Sequence, residues 1–150
     1  MTESNAWQER YHDMLATPKQ AVAHIKPGQR VFIGTGCGEP VALVNALTER
    51  AHELADVEIT QLLAKGEARY ANRQLAECFT VNSFFIGTAI REHIQEGLGD
   101  YTPVLLSDIP RLFTSGRLPL DVVLIQVTPP DERGMVSLGV SVDKIGRAHV

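Results

Sequence analysis

Short apolar runs alternate along the chain with segments whose apolar residues recur at helical spacing. The apolar runs predict strands, which we place at residues 30–33, 57–63, 78–86, 101–106, 120–127 and 135–142. Helical spacing and helix-start signals predict helices, which we place at residues 8–16, 17–25, 40–54, 87–95 and 108–114. Strands that alternate with helices of about ten residues imply right-handed crossovers between parallel strands. We therefore predict an α/β domain with a mostly parallel sheet covered by helices on both faces.

The ends of the predicted elements carry the most specific local signals. Thr17, Pro18 and Gln20 form a capping-box pattern, in which a hydroxyl, a proline and a glutamine open a helix. Pro27 and Gly28 are turn residues and end that helix. These signals depend only on near neighbours, so we expect the structure to retain them.

The bulk composition excludes several classes of function. The chain has 150 residues, of which 44% are hydrophobic and 21% are charged, as in an ordinary single globular domain. Its net charge of −4 offers no basic patch, so we expect neither nucleic acid nor a membrane as partner. The histidines are not at metal-ligand spacing, and two cysteines make no disulfide framework. Because the N-terminus is polar and lacks a signal-peptide pattern, we expect a cytoplasmic protein without a metal site.

A glycine-rich turn joins the strand predicted at residues 30–33 to the next helix. Gly34, Gly36 and Gly38 leave the backbone bare there, and amide N–H groups at a helix start attract a phosphate, a carboxylate or an oxyanion. Position 39 is Glu instead of the third glycine of a dinucleotide fingerprint, and no Lys-Ser/Thr pair follows as in a P-loop. The alternative is close packing of the helix against the strand. We refer to residues 34–40 as the glycine turn.

Two side chains of the glycine turn are candidates for chemistry. Glu39 fits three roles, because a carboxylate there can be a nucleophile, a general base or the cap of the following helix. Cys37 stands near a helix start, where a thiolate is favoured, but no histidine lies near it in the sequence. We therefore interpret Cys37 as a small buried cysteine.

Further candidates lie near the carboxyl ends of later predicted strands. Open parallel sheets bind ligands beyond the carboxyl ends of their strands, so Asn82 and Gln126 are expected to gather with the glycine turn. The alternative for such junction residues is capping of the next helix or a plain connection. The predicted substrate-binding residues are Gly34, Thr35, Gly36, Gly38, Glu39, Asn82 and Gln126.

Several stretches, taken in their order and spacing, carry a resemblance to a known family. They are residues 31–40, 82–87, 100–104, 118–122, 125–134 and 137–143. Together they resemble the N-terminal half of the acetyl-CoA hydrolase/transferase family, of the acetate and 4-hydroxybutyrate CoA-transferase type. The resemblance implies the open α/β sandwich of CoA-transferases, with two such domains in tandem, of which this chain is the first.

The resemblance also implies the chemistry. Such enzymes move coenzyme A from an acyl-CoA to a small carboxylate such as acetate, through a glutamyl-CoA thioester. In the family the catalytic Glu and most CoA-binding residues belong to the second domain, which leaves Glu39 as the one candidate here. The resemblance therefore implies a CoA thioester as substrate, no permanently bound cofactor, and a homo-oligomer for the full enzyme. The resemblance does not distinguish a hydrolase from a transferase, because the two differ only in whether water or a carboxylate attacks the thioester.

The last residues do not continue the preceding pattern. Residues 145–150 match the translation of a widely used sequencing-adapter sequence. The family that the chain resembles would continue here as a helix. We therefore expect a native N-terminal domain at residues 1–143, a non-native tail at residues 144–150, and an absent second catalytic domain. The alternatives are a stand-alone CoA- or nucleotide-binding module without catalysis, and a chain in which Glu39 acts alone as nucleophile.

Overall fold

The computed structural model describes residues 4–141, with side chains from residue 7 onward. The tail expected at residues 144–150 and the last position of the strand predicted at residues 135–142 lie outside the described residues. The helices are α1 (Ser4–Met14), α2 (Pro18–Val22), α3 (Val41–Glu49), α4 (Arg91–Gln95) and α5 (Ile109–Thr114). The strands are β1 (Arg30–Ile33), β2 (Val57–Gln61), β3 (Phe79–Ser83), β4 (Gly99–Tyr101) and β5 (Val122–Leu124). None of the described helices is both long and apolar enough to cross a membrane.

The five strands form one sheet in the order β4-β3-β2-β1-β5, and every neighbouring pair is parallel. The chain steps from β1 outward to β4 and then returns to place β5 on the other side of β1. Right-handed crossovers made in opposite directions put their helices on opposite faces. Accordingly, α3 and α4 cover one face and α5 covers the other. The predicted parallel α/β sheet with helices on both faces is confirmed.

Alternation of side chains along β1 divides the core into two clusters. Val31 and Ile33 lie in the larger cluster, beneath α3, whereas Phe32 lies in the smaller cluster against α5. Phe32 and Phe113 pack edge to face, with ring centroids 5.6 Å apart. Because both faces of β1 are buried from Val31 onward, residues 31–33 are a continuous apolar run without polar alternation.

The capping box predicted at the start of α2 is confirmed. Thr17 Oγ1 accepts from the Gln20 N–H at 3.3 Å, and Gln20 Oε1 accepts from the Thr17 N–H at 2.9 Å. At the other end of this helix, Arg50 donates to the carbonyls of Val22 and Ile25. A side chain that follows α3 thus holds the last turn of α2, which ends at Val22, before the predicted end at residue 25.

The last two strands are shorter than their apolar runs or displaced from them. β5 pairs only over Val122–Leu124, because it is an edge strand whose single neighbour, β1, ends at Ile33. β4 lies at Gly99–Tyr101, whereas the apolar run predicts residues 101–106. Pro103 explains the difference, since proline has no amide hydrogen to give to the ladder.

The chain after β5 folds as a loop. The Thr128 N–H donates to the Ser137 carbonyl at 2.9 Å, and Asp131 Oδ1 accepts from the amides of Arg133 and Met135, each at 2.9 Å. Met135 and Ser137 bond back to Asp131 and Thr128 within the loop, and not to a strand of the sheet. The strand predicted at residues 135–142 is therefore wrong for its described part.

His93 on α4 is a buried titratable group beside the edge strand β4. Its side chain lies so close to the backbone that a Cβ added at Gly99 would be 3.1 Å from His93 Cδ2. Burial lowers the pKa of His93 below its ordinary value of 6.5, against the opposing effect of the Leu98 and Ala71 backbone and of the Glu96 carboxylate. The neutral ring is therefore the form that the fold prefers.

We expect the free energy of unfolding to fall as the pH drops below 6.5, because the unfolded chain binds a proton at this histidine more readily than the folded chain does. Above pH 6.5 this loss is absent. Urea unfolding at about pH 7.5 and about pH 5.5 measures the difference. His93→Leu should reduce the difference in free energy of unfolding between the two pH values. His52→Gln, at a largely exposed histidine, should leave that difference unchanged. Equal pH dependence in both variants would contradict the assignment.

Candidate functional site

Three loops meet at the carboxyl edge of the sheet, after β1, β2 and β3. They are the glycine turn, the β2 loop (residues 62–68) and the β3 loop (residues 84–90). The Gly36 N–H donates to the Leu63 carbonyl at 3.1 Å, which joins the glycine turn to the β2 loop. A Cβ added at Gly87 would lie 2.7 Å from Leu63 Cδ1, so the β3 loop packs directly on the β2 loop. The edge is therefore a continuous surface of three loops.

Gly34 lets the glycine turn approach β5. Its N–H donates to the Leu124 carbonyl at 2.8 Å. A Cβ at this position would lie 3.1 Å from the Gly38 carbonyl oxygen and 3.3 Å from the Leu124 carbonyl oxygen. Backbone atoms on both sides would crowd a side chain, so this position favours glycine. The close contact is with β5 and with the turn itself, and not with the following helix as the packing alternative supposes.

Four amides of the glycine turn, those of Gly34, Gly36, Gly38 and Glu39, are already hydrogen-bonded. Gly38 N–H donates to the Thr35 carbonyl and to Ser141 Oγ, at 3.1 Å each. Residues Gly36–Gly38 form a 3₁₀ turn, Gly36 has a φ of +61°, and α3 begins only at Val41. The turn is therefore a separate element before the helix, and its amides do not stand open as the sequence alone suggests. Thr35 is buried at its start.

Cys37 is exposed at the tip of this turn. The interpretation of Cys37 as a buried cysteine is therefore wrong. The physical reason is the turn itself, because a tight 3₁₀ turn between two glycines directs its middle side chain away from the sheet.

Glu39 is buried, with 6% of its surface exposed, and it binds the β2 loop. Its Oε2 accepts from the Gly66 N–H at 3.0 Å and from the Lys65 N–H at 3.3 Å. Pro40 occupies the N-cap position of α3, and no side chain caps that helix. The role of helix cap considered for Glu39 is therefore wrong, since its carboxylate bonds to a different loop.

Asn82 lies within β3, on the sheet face opposite α3. It aligns with Thr60 of β2, and Thr60 aligns with Phe32 of β1. Asn82 Nδ2 donates to Glu58 Oε1 at 3.0 Å, and Asn82 Oδ1 accepts from Thr102 Oγ1 at 2.8 Å. Both ends of the amide are thus bonded within the sheet, about 10 Å (two strand spacings) from β1. The structure does not bring Asn82 to the glycine turn.

Glu58 is the centre of a polar row across this face of the sheet. Its Oε2 accepts from Arg30 Nη2 at 2.6 Å, and its Oε1 accepts from Asn82 and from Thr60 Oγ1. Burial by itself raises the pKa of Glu58, but the hydrogen bonds from Arg30 and Asn82 and the charge of Arg30 outweigh it and hold the pKa below 4.5. Arg30 in turn has its pKa raised by its hydrogen bond to Glu58. This row stabilises the sheet.

Gln126 lies where the sequence predicts it, just beyond β5 and near the glycine turn. The Cα of Ile125 would be 3.6 Å from a Cβ added at Gly34, and Gln126 follows with an exposed side chain. The structure therefore gathers Gly34, Thr35, Gly36, Gly38, Glu39 and Gln126 at one edge. Among the described residues no group of three His, Cys, Asp or Glu side chains could hold a metal ion.

A family model, described as the acetyl-CoA hydrolase/transferase N-terminal domain, matches residues 1–149. The chain belongs to this acetyl-CoA hydrolase/transferase family. The resemblance stated from the sequence is confirmed, and the parallel sheet with helices on both faces is the N-terminal domain of the family.

Relatives and solved structures agree with this assignment. The 4-hydroxybutyrate coenzyme A transferase of Clostridium kluyveri is 39% identical over 91% of this chain and 32% of its own length. The succinyl-CoA:acetate/propanoyl-CoA:succinate CoA transferase of Fasciola hepatica is 37% identical over 89% of this chain and 28% of its own length. RipA from Yersinia pestis superposes with a TM-score of 0.86 at 26% identity, over 97% of this chain and 36% of RipA. The 4-hydroxybutyrate CoA-transferase from Porphyromonas gingivalis superposes with a TM-score of 0.75 at 26% identity, over 95% of this chain and 32% of that protein. The chain spans about a third of the length of these relatives.

Sequence reasoning missed two partners of the glycine turn in this family member. The β2 loop follows a predicted strand, so the rule that strand ends gather at one edge could have pointed to Lys65 and Gly66. Ser141 had no signal, because it meets Gly38 across 103 residues of sequence. Its fit is close, since a Cβ added at Gly38 would lie 2.6 Å from Ser141 Cβ.

Proposed function

We propose that the chain is the N-terminal part of an acyl-CoA:carboxylate CoA-transferase and forms one wall of the pocket where an acyl-CoA meets a small carboxylate such as acetate. The observation that carries this proposal is the 39% identity, over 91% of the chain, to a relative named as a coenzyme A transferase. The relatives reported above are named as transferases, so transfer to a carboxylate is favoured over hydrolysis. Coenzyme A thioesters are substrates in this proposal, no cofactor is permanently bound, and the cytoplasm is the expected location.

The reaction needs a carboxylate nucleophile. A glutamate attacks the thioester carbonyl, expels the CoA thiolate and leaves a mixed anhydride; the thiolate then attacks the glutamyl carbonyl, which releases the carboxylate and leaves a glutamyl-CoA thioester. Glu39 does not suit this role, because it is buried and its Oε2 is held by two backbone amides. We therefore place the nucleophile in the part of the enzyme that the relatives have beyond this chain.

Each addition step passes through an oxyanion, and backbone amides are suitable donors to it. The Gly38 amide is the candidate donor, because one of its two acceptors, Ser141 Oγ, is a side-chain hydroxyl that can move. A thioester oxygen or a substrate carboxylate would then take the place of Ser141 Oγ. The glycine turn thus serves the acyl or carboxylate end of the pocket.

A chimera tests the proposal. Residues 1–141 replace the matching N-terminal segment of the Clostridium kluyveri transferase, and CoA transfer from acetyl-CoA to 4-hydroxybutyrate is measured. We expect transfer by the chimera and none by the 150-residue chain alone. Turnover by the chain alone would favour a self-sufficient enzyme. A folded chimera without transfer, together with CoA binding by the chain alone, would favour a binding module.

The wall itself is tested by Gly38→Val in the chimera. A side chain there collides with Ser141, whose Cβ is 2.6 Å from the position of the new Cβ. Displacing an oxyanion donor costs about 10²–10³-fold in kcat, and we expect a loss of that order. Lys19→Ala, at an exposed position on α2, is the control and should retain activity. Unchanged kcat for Gly38→Val would exclude the glycine turn from the reacting centre.

A further inference from the structure

We propose that Glu39 is a positioning residue, which clamps the β2 loop to the glycine turn and so places Lys65 beside the pocket for a carboxylate substrate. The inference rests on the proposed function for the identity of that pocket. The clamp itself follows from contacts within the chain.

The first support is how completely the carboxylate is enclosed. Glu39 is 6% exposed, and its Oε2 accepts two consecutive backbone amides of the β2 loop, those of Lys65 and Gly66. A Cβ added at Gly66 would lie 3.0 Å from Glu39 Oε1, so any side chain at residue 66 would crowd the carboxylate. Among the described residues no cation pairs with Glu39. The carboxylate is therefore stabilised by hydrogen bonds from the loop that it holds.

The second support is that the attachment has two points. The Gly36 N–H bonds to the Leu63 carbonyl at 3.1 Å, and Glu39 bonds to the amides two and three residues further along. One hydrogen bond would let the loop pivot, whereas two separated ones fix its orientation. The loop also contains Ala68 with a φ of +44°, a conformation that L-residues rarely adopt without support from their surroundings.

The third support is what the loop carries. Lys65 is the single Lys or Arg of residues 62–68, and its side chain is exposed at the carboxyl edge. Its own amide is one of the two that Glu39 holds. The substrates of the proposed reaction are anionic at the acceptor carboxylate, so an ammonium group at the rim favours their binding. Glu39 then acts on substrate binding through the placement of Lys65.

Amide hydrogen exchange on the 150-residue chain tests the clamp directly. Glu39→Leu removes the acceptor and should accelerate exchange at Lys65 and Gly66 by about tenfold or more, while the β2 amides stay protected. Glu39→Gln keeps an acceptor oxygen and should retain most of the protection. Gly66→Ala leaves Glu39 intact but puts a methyl group 3.0 Å from its Oε1, so it should loosen the loop as Glu39→Leu does. If Glu39→Leu does not fold, Gly66→Ala gives the same measurement. Unchanged exchange at both amides in a folded Glu39→Leu, or in Gly66→Ala if Glu39→Leu does not fold, would overturn the clamp.

Kinetics in the chimera separate positioning from catalysis. Glu39→Leu should raise KM for the acceptor carboxylate by about tenfold, with a smaller effect on kcat. Lys65→Met should raise the same KM to a similar extent without changing amide hydrogen exchange in the β2 loop. Glu39→Gln should retain most activity. Complete loss of kcat in Glu39→Gln would instead make Glu39 a catalytic group and overturn the proposal. An inactive parent chimera would count against the proposed function, and the exchange measurements would still decide the clamp.

Discussion

Replacing Tyr70 by alanine is expected to lower the free energy of unfolding by about 3–5 kcal/mol, the range for removing a buried aromatic ring. Tyr70 is 0% exposed and lies in the larger core cluster, in a 3₁₀ turn that contacts both α3 and β3. The ring fills the space between a helix and the sheet, so its loss leaves a cavity that neither element can close. Urea denaturation monitored by circular dichroism measures the effect.

Tyr70→Phe is the matched control, because it removes only the hydroxyl. Among the described residues that hydroxyl has no hydrogen-bond partner. Burial raises the pKa of Tyr70, and the charge of Glu39 adds to this, so the phenol stays neutral. We expect Tyr70→Phe to be as stable as the parent or up to about 1 kcal/mol more stable, since an unsatisfied buried group is removed. A loss of more than about 1 kcal/mol would show that the hydroxyl makes a stabilising hydrogen bond.

Replacing Glu58 by alanine is expected to cost about 2–3 kcal/mol, because it breaks charge-assisted hydrogen bonds that join β1, β2 and β3. Glu58 accepts from Arg30 Nη2 and Asn82 Nδ2, and its loss removes the acceptor of both groups on a partly buried sheet face. The side chain is 24% exposed, so the figure lies below that for a fully buried ion pair. Glu49→Ala is the control. Its ion pair with Lys19 is largely exposed, and about 0–1 kcal/mol is expected.

The same carboxylate contributes to the acid sensitivity of the fold. Because the folded-state pKa of Glu58 is below 4.5, its contribution is full above that pH and is lost as the pH falls through the folded-state pKa. Glu58→Ala should therefore lose less stability on acidification than the parent chain does. An identical loss in both would contradict the assigned direction of the shift.

The elements that local sequence predicts well are those whose signals lie within a few residues. β1 was predicted over residues 30–33 and is observed at Arg30–Ile33, between a Pro-Gly turn and a glycine. The capping box at Thr17 is formed by residues three apart, which local geometry brings together in any context. The alternation of strands and helices likewise gave the class of fold, because right-handed crossovers leave few ways to connect parallel strands.

The candidate site was predicted in part. The glycine turn and Gln126 are where strand ends place them, on adjacent strands at one edge. Asn82 looked equivalent, since it too stands near a strand end, but its side chain faces along the sheet to Glu58, 24 residues away in sequence. An amide with two bonding ends takes whatever partners the sheet presents, and the sequence does not state which strands are neighbours.

The glycine turn combines features that the local sequence indicates with features that depend on the complete fold. The order of residue types is enough to indicate that a strand ends there, that bare backbone follows, and that the chain is a family member. Three contacts depend on the complete fold: β5 returns beside Gly34, Ser141 binds Gly38 across 103 residues, and Glu39 holds a loop rather than a helix end. The physical reason is that a hydrogen-bonding group is satisfied by whichever partner the fold brings within about 3 Å, and that partner is set by strand order, a property of the whole chain.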